Sequence, residues 1–113
     1  MQAFQNFGAL TENVRFERKN SAGAWNEYLT TRAELIPETG SEVIKAEGTH
    51  PEVKVKFRIR YTSILARIDT RELRLVHLDS AKAETLGTYN VRYIEDDRNR
   101  HVTMYVVCAL EDR

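Results

Sequence analysis

The stretch EVKVKFRIRY, Glu52–Tyr61, alternates without a break: Val53, Val55, Phe57, Ile59 and Tyr61 fall on one side, and Lys54, Lys56, Arg58 and Arg60 on the other. A helical period of 3.6 residues would scatter the two classes around an axis, whereas the period of two in a pleated strand separates them. The segment therefore predicts a strand with one face committed to a core. Its other face poses the functional question. Cations about 7 Å apart along a strand match a phosphate backbone, but the same pattern describes the wet side of an antiparallel sheet.

Upstream, LTENVRFER sets Leu10, Val14 and Phe16 against Thr11, Asn13, Arg15 and Glu17, and KNSAG, with Gly23, follows as a turn. AWNEYLTTRAELIP then predicts a second, antiparallel strand over Trp25–Ile36, stopped by Pro37, which has no N–H to give a ladder. The next residues, ETGSEVIKAEGTH, are polar with two glycines and predict a loop. Within it SEVIKAE has room for at most two helical turns, with Ser41 as N-cap.

Downstream of the basic strand, LRLVHL predicts a strand over Leu73–Leu78, while SAKAETL is compatible with helix. TYNVRYIED and HVTMYVVCAL flank the charged turn DDRNR and predict a closing hairpin. Five or six strands with little helix give an all-β fold, a small antiparallel barrel or compact sandwich with long loops and at most one short helix. A chain of 113 residues fits one domain spanning 1–113, with residues 1–8 as an N-terminal arm carrying Phe4 and Phe7.

Charge narrows the function. Seventeen Lys and Arg balance seventeen Asp and Glu, a formal net charge of zero. A protein that coats nucleic acid draws its affinity from excess positive charge and counterion release, so that class is disfavoured. Neighbouring strands carry Glu12, Glu17, Arg32 and Glu34, and cross-strand pairs of opposite charge are the commonplace arrangement on the exposed side of an antiparallel sheet. No apolar run reaches the roughly 20 residues that cross a bilayer, and the N-terminus lacks the basic head and apolar segment of a secretion signal. The expectation is a protein with no membrane partner.

Chemistry is sparse. His50, His77 and His101 share no metal-ligand spacing and read as surface or edge histidines. Glu95, Asp96 and Asp97 sit beside Arg98 and Arg100 in a self-compensated turn. Cys108 stands alone in MYVVCAL and predicts a buried, inert thiol. There is no nucleophile elbow, no phosphate-binding glycine loop and no dinucleotide fingerprint. No catalytic residue, metal or cofactor is expected.

The order of these features carries a resemblance. An opening strand LTENVRFER, the G-x-W turn of Gly23–Trp25, the run A-x-L-x-P-x-x-G-x-E from Ala33 to Glu42, the I-R-Y ending at Tyr61 and a closing Y-x-V hairpin from Tyr89 to Leu110 together resemble the head-tail joining family of tailed bacteriophages. These are the small head-closure or stopper proteins of the connector, and the likeness covers nearly the whole chain. One departure is Leu65–Gly87, longer here than the family's usual link.

The resemblance implies a β-barrel that forms a ring of about twelve copies below the portal and adaptor of a filled head, gates the DNA channel and offers a docking surface to the tail. The implied partners are portal, adaptor and tail proteins of the same virion, further copies of this chain, and packaged double-stranded DNA touched without sequence preference. Its implied location is the virion, after assembly in the host cytoplasm. On this reading Glu38, Thr39, Gly40, Ser41, Glu42, Lys45, Glu47 and Gly48 form the channel loop. Gly40 and Gly48 would supply its hinge freedom, and its near-neutral, slightly acidic character would let duplex slide.

Lys54, Lys56, Arg58 and Arg60 become one of the two complementary patches that a closed ring requires. A tail-side joining or tail-terminator protein stands as the alternative within the same class. An oligonucleotide-binding barrel, stacking bases on Phe57, Tyr61 or Tyr93, stands as the alternative from another class. Against the last, Phe57 and Tyr61 lie on the face opposite the cations.

Overall fold

The computed structural model describes residues 9–37, 54–96 and 101–110. Six strands occupy most of them: β1 (Glu12–Lys19), β2 (Trp25–Pro37), β3 (Lys54–Arg60), β4 (Leu73–Leu78), β5 (Thr85–Asp96) and β6 (Thr103–Leu110). All pairings are antiparallel, and the hydrogen-bonded order β1-β2-β3-β6-β5-β4 closes on itself through a β1–β4 ladder. The expected strands over 25–36 and 73–78 are present, the first reaching one residue further to pair Pro37 with Val55.

The inward parity of each strand builds the core. Val14 and Phe16 of β1, Ala33 of β2, Phe57 and Ile59 of β3, Leu75 of β4 and Val106 and Cys108 of β6 are all completely buried. Phe57 lies at the centre, its ring edge-on to those of His77 at 5.6 Å and Tyr89 at 5.5 Å between centroids. Tyr89 fits because its register neighbourhood contains Gly87: a Cβ there would stand 3.3 Å from the Tyr89 ring. Burial pushes the Tyr89 hydroxyl and the Cys108 thiol above their usual pKa ranges, because both charged forms would lose their hydration.

Short polar devices turn the chain. Between β1 and β2, Asn20 accepts from the backbone N–H groups of Ala22 at 2.9 Å and Ala24 at 3.0 Å, and Gly23 takes φ +89°, a region side chains rarely adopt. Between β4 and β5, Asp79 accepts from the N–H groups of Ala83 at 2.8 Å and Glu84 at 3.3 Å. These bonds hold its carboxyl below the usual carboxylate range, and they explain why SAKAETL is no helix: its amides close a tight turn and Thr85 starts β5.

The described helix falls elsewhere, at α1 (Ser63–Ala66), capped by the Thr62 side chain and followed by a 3-10 turn at Thr70–Glu72 capped by Asp69. Leu65, 1 % exposed, joins the core from α1 at one end of the barrel. Thus the long 61–72 link folds into a cover rather than a seventh strand.

Replacing Phe57 by Ala removes the ring that three strands share, and a cavity at such a site costs about 3–5 kcal/mol. Chemical denaturation of Phe57→Ala should show that loss as a lowered midpoint, with the m-value retained.

Candidate functional site

Antiparallel order gives the barrel two distinct ends. One carries the β1–β2 turn, the β3–β4 link with α1, and the β5–β6 connection; the other carries the β2–β3 connection, the β4–β5 turn, the start of β1 and the end of β6. Residues 38–53 thus leave from Pro37 and return at Lys54 at this second end. The expected channel-loop residues Glu38, Thr39, Gly40, Ser41, Glu42, Lys45, Glu47 and Gly48 lie outside the described residues, as do the short helix over SEVIKAE and the arm of residues 1–8.

At the same end the Glu12 carboxylate meets His77 Nε2 at 2.8 Å, and the His77 side chain is only 10 % exposed. This corrects two expectations. Glu12 has the inward parity of Val14 and turns to His77 rather than to the basic strand, and His77 has the inward parity of Leu73 and Leu75 rather than a surface position. Both parities are visible in ENVRF and LRLVHL. The closed β1–β4 pairing that brings the two side chains together is not.

The basic strand is partly committed within the barrel wall. Arg58 is buried and donates through Nε to Glu34 Oε1 at 2.8 Å, across the Glu34–Arg58 register of β2 and β3. The Lys56 ammonium lies 5.2 Å from the centroid of the Tyr105 ring on β6. Lys54 is half-buried and Arg60 exposed. Phe57 is unavailable for stacking on a base because no part of it reaches solvent. Tyr93 is exposed on β5, opposite Val107 of β6, and β6 lies between it and the basic strand.

A second charged network, not anticipated from the sequence, spans β1, β4 and β2 on the outer wall. Glu17 accepts from Arg15 Nε at 2.9 Å and from Arg74 Nε at 2.8 Å. Arg74 also lies over the Trp25 ring at 4.5 Å from its centroid, with the Lys19 ammonium at 5.3 Å. Alternation placed Glu17 on the outer face; only the β1–β4 ladder, which pairs it with Arg74, surrounds it with arginines.

At the end that holds α1, a cleft of about 300 Å³ is lined by Tyr61, Ala66, Arg67, Ile94, Asp96, His101 and Met104. Tyr61 and His101 stack at 4.5 Å between centroids. Asp96 accepts from the His101 backbone N–H at 3.0 and 3.2 Å and also pairs with its Nδ1. His101 takes φ +62°, and these bonds hold it there. Asp96 therefore finds its described partner in His101. Among the described residues no group of His, Cys, Asp and Glu side chains is arranged to hold a metal ion, and no helix is long and apolar enough to cross a membrane.

A closed six-stranded barrel with its connections gathered at two ends belongs to the class of small β-barrel structural and binding modules. The chain matches the phage head completion protein family over residues 6–111, nearly its whole length, and it belongs to that family. Comparison with curated proteins gives no match. Membership makes it a structural component of phage head assembly, in a family whose members meet other head and tail proteins.

Two outcomes follow from the geometry. Glu17→Ala leaves Arg15 and Arg74 facing each other without their shared anion, and stability should fall by ~1–3 kcal/mol in chemical denaturation. Cys108, buried and held as the neutral thiol, should resist a thiol-modifying reagent at pH 8 in the native protein and react once denaturant unfolds the barrel.

Proposed function

We propose that this chain is the head-closure, or stopper, protein of a phage connector: a ring component beneath portal and adaptor that gates the DNA channel with residues 38–48 and receives the tail. Family membership over residues 6–111 is the observation that carries this reading. The barrel supports it physically. Pro37 pairs with Val55, so the wall is stitched at the point where the connection departs, and a change within residues 38–53 leaves the β2–β3 ladder in place.

The 16 residues from 38 to 53 lie between β2 and β3, and a chain excursion of that length reaches roughly 25 Å before it must return. That suffices to cross from a ring wall toward an axis. In this role Glu38, Glu42 and Glu47, set against Lys45, limit the hold on phosphate. Weak contact lets duplex pass, and mechanical obstruction rather than affinity retains it.

The subunit contact on Lys54, Lys56, Arg58 and Arg60 is part of this proposal. Arg58 pairs with Glu34 and Lys56 lies along Tyr105 in the wall, so the patch offered to an acidic surface of the neighbouring copy is the basic strand as a whole rather than a row of unpaired cations. A closed ring pairs two different patches on every protomer, which makes such a one-sided basic strand useful once per interface.

Deleting residues 40–47 tests the gate. The truncated protein should keep a cooperative melt, while particles assembled with it should lose packaged DNA, measured as nuclease-sensitive genome and as emptied heads in electron micrographs. A truncated chain that fails to fold assigns the segment to the barrel's own stability instead. Normal filled, tailed particles from a strain lacking the protein altogether would reject the head-closure role itself.

A further inference from the structure

The cleft beside α1 and His101 collects hydrogen-bonding groups that have no partner among the described residues. Arg67, Tyr61 and His101 all line it. Among the described residues the Arg67 guanidinium makes no ion pair or hydrogen bond, the Tyr61 hydroxyl makes none, and His101 spends only Nδ1, on Asp96. Arg15, Arg58 and Arg74 of the barrel wall, by contrast, reach carboxylates of neighbouring residues.

His101 is also held with unusual firmness for an exposed residue. Its backbone N–H and Nδ1 both engage Asp96, its ring lies on Tyr61, and its φ is positive. An imidazole fixed through Nδ1 presents Nε2 in a set direction, as a donor when the ring is protonated. Positive-φ strain at a non-glycine residue, held by several bonds, is a feature of sites more than of plain turns.

We propose that this cleft is a binding site for a single carboxylate on an aliphatic stem, the chemistry of a glutamate side chain presented by a protein partner. Arg67 supplies the charge and a planar pair of donors suited to a carboxylate. The Tyr61 hydroxyl supplies a further donor, His101 Nε2 adds another only in the protonated ring, and Ile94, Met104 and Ala66 supply apolar wall for the stem. The Asp96 carboxylate, which lines the same cleft, favours a singly charged guest over a doubly charged phosphate, because each added negative charge meets it at short range. The site is independent of what residues 38–53 do, so it stands or falls apart from the gate.

The test is a titration of the full chain followed by amide and side-chain chemical shifts. The probe is a glutamate blocked by acetyl and methylamide groups at its ends, compared with inorganic phosphate at matched ionic strength. Saturable shifts confined to Tyr61, Arg67, Asp96 and His101 are expected with the blocked glutamate. They should weaken about tenfold or more, a loss of roughly 1.4 kcal/mol, in Arg67→Ala. Arg67 is exposed and makes no ion pair or hydrogen bond among the described residues, so that variant should fold normally, as its unperturbed remaining spectrum will show.

Tighter binding of phosphate than of the blocked glutamate would overturn the proposal in favour of a phosphate-bearing partner. Shifts spread over the surface, no saturation, or an Arg67→Ala variant that binds as well as the parent would overturn it outright.

Discussion

The pairing of β1 with β4 is the constraint on which the rest of the structure depends. Without it the six strands would form an open sheet with two unpaired edges, each a template for association with another chain. With it the sheet closes, Val14 and Phe16 lie beside His77 and Leu75 in the ladder, and a continuous core forms. The same ladder brings Arg74 beside Glu17 and His77 beside Glu12, so both of these polar pairs of β1 are consequences of closure. The entropy of joining strands so far apart in sequence is offset by a core drawn from every strand.

Closure also distributes the connections. An antiparallel barrel of six strands sends alternate connections to opposite ends, and here the division separates two kinds of work. The end with α1 is structured in detail, with caps at Thr62 and Asp69, a Leu65 plug and the Asp96–His101 pair. The opposite end holds the departure and return of residues 38–53, against a wall whose strands are fully laddered up to Pro37 and Val55. For a member of the head completion family, a closed barrel with a long connection at one end and a cleft at the other has two separate surfaces on which contacts with other proteins could form.

The basic face of β3 is divided in its contacts within the wall. Arg58 behaves as a wet-side residue finding a cross-strand partner, and Lys56 lies along an aromatic neighbour, while Phe57 faces wholly inward. A single-strand platform joins exposed base-stacking rings to a row of cations, whereas here Phe57 is turned to the core, Arg58 is paired with Glu34 and Lys56 covers the Tyr105 ring. A contact between folded proteins needs neither exposed rings nor such a row.

Much was legible because strands announce themselves by parity. The alternation of 52–61, the patterns of 10–18 and 73–78 and the turn at Gly23 reflect local sterics and the two-residue pleat, which act on neighbours in the chain and leave their mark in composition. The family resemblance was legible for the same reason, being a sequence of such marks in order. Parity also held the inward positions of Glu12 and His77, though it did not say that each would be the other's partner. That, the Arg15–Glu17–Arg74–Trp25 network and the gathering of Tyr61, Arg67 and His101 in one cleft were decided only by the tertiary structure. They join residues from strands far apart in the chain, and which strand lies beside which depends on the free energy of the whole closed barrel rather than on any segment of it.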